Sequence, residues 1–97
     1  MNADLIHETA KAYALDPREE TLETATMTAL PLSYAIAARF SGRGIDLEDL
    51  RQVAALALVS ALKGFDPHRG LRFTTYVTPT IIGTLRNHIR DRAQLVR

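Results

Sequence analysis

In three stretches of this 97-residue chain the apolar residues return every three or four positions, and nowhere do they alternate in steps of two over a useful length. Leu22, Ala25, Ala29, Leu32, Ile36 and Phe40 form the first stripe. Leu47, Leu50, Ala54, Ala57, Leu58, Ala61 and Phe65 form the second, and Ile82, Leu85, Ile89, Ala93 and Val96 the third. That spacing matches one face of an α-helix and no strand. The expected fold is therefore all-α, a compact bundle of three main helices plus a short N-terminal helix. A chain of this length makes one small domain and buries only about two-thirds of its surface. Aromatics are just 6% of the residues, so Ala, Leu, Ile and Val must fill the core.

Turn chemistry divides the chain. Residues 1–15 read as an N-terminal extension in which residues 3–14 form a short, weakly held helix, and residues 16–97 as the domain proper. Asp16-Pro17 offers an N-cap acid and a first-turn proline for the next helix. Pro31 should bend that helix or mark an irregular turn, and Ser41-Gly42-Arg43-Gly44 stops it. A second main helix opens at Asp46 and runs to about Lys63, where Gly64 and Asp66-Pro67 close it. After a loop over 65–74, the last helix starts at Thr75, or at Thr78 with Pro79 as its first residue, and continues to the end of the chain.

Several classes of function find no support. There is no cysteine, hence neither disulfide nor thiolate metal site. The first residues lack the basic stretch and apolar run of a signal peptide, and no apolar run reaches membrane-spanning length. His7, His68 and His88 have no ligand spacing, and Asp46, Glu48 and Asp49 are acids that a helix N-terminus attracts for dipole reasons. Gly64, Gly70 and Gly83 form no phosphate loop. No catalytic residue, metal or cofactor is expected, and the chain is not expected to be an enzyme.

The net charge of +1 conceals a division. Residues 1–68 carry six Lys/Arg against ten Asp/Glu, whereas residues 69–97 carry six Arg against the single acid Asp91. On the last helix, Gly83, Arg86, Asn87, Arg90, Gln94 and Arg97 share the side away from the apolar stripe. Guanidinium and amide groups suit phosphates and base edges. Just before them come Arg69, Arg72, Phe73, Thr75 and Tyr76, which unite cations with rings. Stacking on such rings is open only to bases that have left the duplex, so the set points to single-stranded or opened DNA. Phe73 could equally plug the core; the hydroxyl of Tyr76 suits a wet edge. The middle helix carries Asp49, Gln52, Val53, Leu56, Val59, Ser60 and Lys63 off its core stripe. That is too apolar for solvent, and reads as a protein-binding face with Asp49 and Gln52 at its rim.

The order of these signals resembles the second region of bacterial RNA polymerase sigma factors. The segments that carry the likeness are LPLSYAIAARFSGRGIDLEDLRQVAALALVSALKGFDPHRGLRFTTY and the helix IIGTLRNHIRDRAQLVR. The resemblance implies a domain that docks on the clamp coiled coil of the largest subunit of core RNA polymerase and recognises and melts the minus-ten promoter element. It would place Asp49, Gln52, Val53, Leu56 and Val59 in the docking helix. Arg69, Arg72, Phe73, Thr75 and Tyr76 would fall in the melting segment that captures a flipped non-template base, and Gly83, Arg86, Asn87 and Arg90 where upstream minus-ten bases are read. Pro79 and Thr80 stand where housekeeping factors carry two tryptophans, so the likeness is to alternative factors of the stress, flagellar and sporulation type, with actinobacterial relatives. Such factors work in the cytoplasm at the nucleoid, and many are held inactive by an anti-sigma factor that covers the docking face. Two other readings remain open on the residues: a regulatory protein-interaction domain, and a generic helical duplex-DNA-binding domain. The later domains of the family are absent from the sequence, which fits a fragment.

Overall fold

The computed structural model describes the backbone of residues 1–95 and the side chains of residues 1–92, and it has four α-helices and no strand among them. They are α1 (Ala3–Leu15), α2 (Glu19–Ala38), α3 (Leu47–Gly64) and α4 (Phe73–Leu95), with a single 3-10 turn, Pro67–Arg69, between α3 and α4. Ala93, Val96, Gln94 and Arg97 of the expected stripes lie outside the described side chains. α3 packs between α2 and α4, and α1 lies chiefly across α2 while reaching α3 and α4.

Most of α3 follows from its local chemistry. Asp46 occupies the N-cap position, Glu48 and Asp49 complement the dipole in the first turn, and Lys63 does so in the last. Leu50, Ala54, Ala57, Leu58, Ala61 and Leu62 are buried along one face. The small alanines let neighbouring helices come close, while each fully buried Leu contributes about 1.5–3 kcal/mol of transfer free energy.

Elsewhere the boundaries move. α1 reaches Leu15, so Asp16 ends that helix instead of opening the next: its N–H donates to the Ala12 carbonyl at 3.0 Å. The N-cap of α2 is Arg18, whose N–H donates to Thr21 Oγ1 at 3.0 Å. Nor is α1 weakly held, since Ile6 and Ala10 belong to the same buried cluster as the three main helices.

Pro31 and Pro79 both sit inside continuous helices, with neither an irregular turn at Pro31 nor a helix start at Pro79. A proline there removes one i→i−4 hydrogen bond. Both rings are exposed, and the carbonyls deprived of a donor belong to Met27 and Thr75, which are exposed as well. Water can take the missing donor's place.

α4 starts at Phe73, two residues before the earlier of the two expected positions. Phe73 is completely buried, and with it Val77, Ile81 and Leu85, one every four residues. This is the true core stripe of α4. Ile82 and Ile89, expected at its centre, are only partly buried and pack on its border. A helix beginning at Thr75 or Thr78 leaves out Phe73, the residue that sets the direction of the stripe, and a stripe read from Ile82 onward is rotated from the buried one.

Candidate nucleic-acid and protein interfaces

The connection from α3 to α4 builds a small recess. Asp66 Oδ1 accepts from the His68 N–H at 2.9 Å, which starts the 3-10 turn, and Gly70 ends it with a left-handed φ of 79°. That same N–H bond, first among the causes, holds the Asp66 carboxyl below its ordinary pKa of 3.8. The turn carries Arg69 and Leu71 to the side of Tyr76, and these residues with Gly64, Phe65 and Asp66 line a cavity of about 270 Å³. Under it lies an aromatic cluster: the Phe65 and Phe73 rings meet edge to face at 5.1 Å, and Tyr76 leans on Phe65 at 5.9 Å. Tyr76 is half-buried: the Phe65 and Phe73 rings pack against its own, and it forms part of the cavity wall. A Cβ added at Gly64 would come within 3.1 Å of the Tyr76 hydroxyl, so glycine is what leaves that oxygen its position.

The five expected melting-segment residues separate. Arg69 and Tyr76 share the recess, and Thr75 is exposed on the first turn of α4. Arg72 reaches the other way, to Asp4 Oδ1 of α1 at 2.6 Å. Phe73 is a correction: with no exposed surface, it cannot present a ring to a base, and it serves as the core plug beneath Tyr76. Its N–H, which a helix start leaves without a partner, donates to His7 Nδ1 at 3.0 Å. Nothing local in the sequence could announce a partner 66 residues away.

Farther along α4, Arg86, Asn87 and Arg90 are exposed on the outer side, and a side chain at Gly83 would meet open space. Arg90 has its own neighbour Asp91 at 3.5 Å. Arg86 belongs to a second cleft, of about 210 Å³, which it shares with Ile82 and with Arg39, Phe40 and Arg43 from the end of α2 and the turn after it.

The protein-facing set also divides. Gln52, Leu56 and Val59 line an open apolar groove between α2 and α3, with Ala55 beside them and Thr26, Leu30 and Tyr34 as the opposite wall. Leu56 is 72% exposed, far more than a core-forming leucine would be. Arg51 lays its guanidinium over the Tyr34 ring at 5.3 Å and fixes that wall. Asp49 and Val53 are not part of this groove. Val53 packs on the core, and Asp49 Oδ2 faces α4, 3.1 Å from His88 Nε2 and 3.0 Å from Arg92 Nη1. The expectation of one continuous face is corrected by these contacts: positions 49 and 53 centre about 70° round the helix axis from the side shared by 52, 56 and 59, and Asp49 is engaged by α4 while Val53 is engaged by the core. Tyr34 was missed by sequence reasoning, although an aromatic one position off the buried stripe of α2 was a usable signal.

Known proteins with the same pattern exist. Residues 27–94 match the family model described as Sigma-70 region 2. The RNA polymerase sigma factor SigF of Mycobacterium tuberculosis is 46% identical over 68 residues, which is 70% of this chain and 26% of that protein. The RNA polymerase sigma-F factor of Kitasatospora aureofaciens is 40% identical over 67 residues, 69% of this chain and 23% of its own length. The RNA polymerase sigma-G factor of Bacillus subtilis is 37% identical over 62 residues, 64% of this chain and 24% of that protein. The chain thus spans about a quarter of the length of these relatives. A match that takes in the second half of α2, all of α3 and nearly all of α4 means that this chain belongs to the sigma-70 region 2 family.

Proposed function

We propose that this chain is the promoter-opening domain of an RNA polymerase sigma factor: it docks on core polymerase through the groove between α2 and α3, and it holds a base displaced from the minus-ten element in the recess at the start of α4. It carries out no chemistry of its own. The observation that supports the reading is the pairing of Tyr76 with Arg69 around one cavity. A half-buried tyrosine at the wall of an open cavity gives an unstacked base a surface, while a guanidinium lining the same cavity holds the neighbouring phosphate. Arg86, Asn87 and Arg90 then follow the duplex upstream.

The groove complements this. An exposed leucine, a tyrosine and a valine between two helices suit the apolar side of a third helix, and a clamp coiled coil of the polymerase offers one. No helix among the described residues is long and apolar enough to cross a membrane, and the proposed place of work is the cytoplasm, at the nucleoid.

The test compares Tyr76→Ala and Tyr76→Phe on a non-template minus-ten single strand and on the same sequence as duplex, read by fluorescence anisotropy with core polymerase present. Tyr76→Ala should weaken single-strand binding by about 1–3 kcal/mol and leave duplex binding within a factor of two, with Tyr76→Phe close to the parent. Equal losses on both DNAs would exclude base capture by this ring.

A further inference from the structure

We infer that the cleft between the end of α2 and the middle of α4 is a seat for a backbone phosphate of duplex DNA, built by Arg39 and Arg43 together with Arg86. The inference rests on the reading of α4 as a DNA-facing helix and adds to it two residues from a different element, which neither the sequence nor the family likeness had marked.

Charge pairing singles the cleft out. Arg18, Arg51, Arg69, Arg72, Arg90 and Arg92 each have a carboxylate oxygen at 3.8 Å or closer. Among the described residues the arginines without one are Arg39, Arg43 and Arg86, and all three line this cleft. Unpaired cations on a surface are ordinary when scattered. Gathered around one recess they repel each other, and an anion seated among them turns that repulsion into attraction.

The cleft is also partly built in advance. Phe40 is only 8% exposed, so its ring is fixed, and the Arg43 guanidinium lies 5.2 Å from its centroid. Gly42 and Gly44 flank Arg43, each with a φ of 83°, a conformation that a residue with a Cβ adopts only under strain. The tight turn presents Arg43 toward α4 instead of letting it trail in solvent. Less rotamer freedom is then lost when a ligand arrives.

The size and lining decide the ligand. About 210 Å³ bordered by three guanidinium groups and the apolar flank of Ile82 has room for a tetrahedral anion and few groups to read a base edge. Guanidinium forks match phosphate oxygens two at a time. Arg86 lies ten positions beyond Tyr76 on the same helix, about 15 Å along its axis. At about 3.4 Å per nucleotide, that is roughly four steps upstream of the captured base, where the strands are still paired. A phosphate held there would brace the duplex against the pull of strand opening.

The experiment uses Arg39→Ala with Arg43→Ala, which leaves Arg86 and the recess untouched, and a fork DNA whose duplex arm adjoins a single-stranded minus-ten segment. Both side chains are exposed, and a melting curve checks that the fold is intact. At low ionic strength the double variant should bind the fork about tenfold more weakly, with the slope of log K against log salt reduced by about one to two, and should bind the isolated single strand as the parent does. Methylphosphonate linkages, placed one at a time along the duplex arm, give the sharper readout: one position should weaken the parent and leave the double variant unaffected. Equal losses on fork and single strand, no discriminating linkage, or a parent that fails to bind duplex at low salt would each overturn the phosphate seat. Failure of base capture shows differently, as a Tyr76→Ala variant that keeps its single-strand affinity while the linkage scan still finds its position.

Discussion

α3 and α4 are built alike on the inside and unlike on the outside. Each buries a row of apolar side chains against the other, and neither row tells what the protein does. Outside, α3 offers Leu56 and Val59 to a groove walled by Tyr34, whereas α4 offers Arg86, Asn87 and Arg90 to solvent. Apolar groups left open in a small domain call for another protein; guanidinium and amide groups on one side of a helix call for a polyanion. In this molecule, identity lies in the side chains that the core does not need.

The comparison fails most visibly if Phe73 has been put on the wrong side of it. As a completely buried core residue, Phe73→Ala should lower stability by about 3–5 kcal/mol, seen as a lower melting midpoint, and impair DNA and protein binding together through loss of the fold. An unchanged melting curve with a selective loss of single-strand binding would return the ring to the DNA side. Next in size, Leu56→Glu with Val59→Glu should weaken polymerase binding by at least about 2 kcal/mol, the scale of an interface hot spot, while DNA binding and helical circular dichroism stay constant. A matching loss of DNA binding would mean that the two surfaces are one.

Smaller effects sharpen the boundary. Asp49 ties α3 to His88 and Arg92, so Asp49→Asn should destabilise the chain by no more than about 1 kcal/mol, as expected of a half-exposed ion pair. It should also release Arg92 toward DNA, making the salt slope of duplex binding steeper. Smallest of all, Gly83→Ala meets no steric obstacle and should stabilise α4 by about 0.5–1 kcal/mol. If DNA comes close to the helix at this point, affinity will fall as stability rises; parallel gains would move the contact to Arg86 and beyond.

The sequence disclosed whatever is set by near neighbours. The all-α class, the limits of α3 from Asp46 to Gly64, and the basic outer side of α4 are local patterns, and they were legible. The start of α4 was not, because its first N–H is satisfied by His7 from the far end of the chain and its first residue is anchored by burial. The prolines misled for a related reason. Pro31 and Pro79 stand where local rules end a helix, but Ala29 and Ser33 around the one, and Val77 and Ile81 around the other, are buried and carry the helix through. In the candidate sites, spacing found Tyr76, Arg69, Leu56 and Arg86 but could not foresee that Arg72 would meet Asp4, or that Arg39 and Arg43 would arrive beside Arg86.

The His7 contact bears on how this protein should be handled at the bench. Trimming the chain to the span shared with its relatives would delete α1, strip Ile6 and Ala10 from the packing, and strand the Phe73 amide without an acceptor. The stretch that a family model recognises is therefore shorter than the stretch that holds itself together, and a truncated preparation would soften first where the proposed base-binding recess begins.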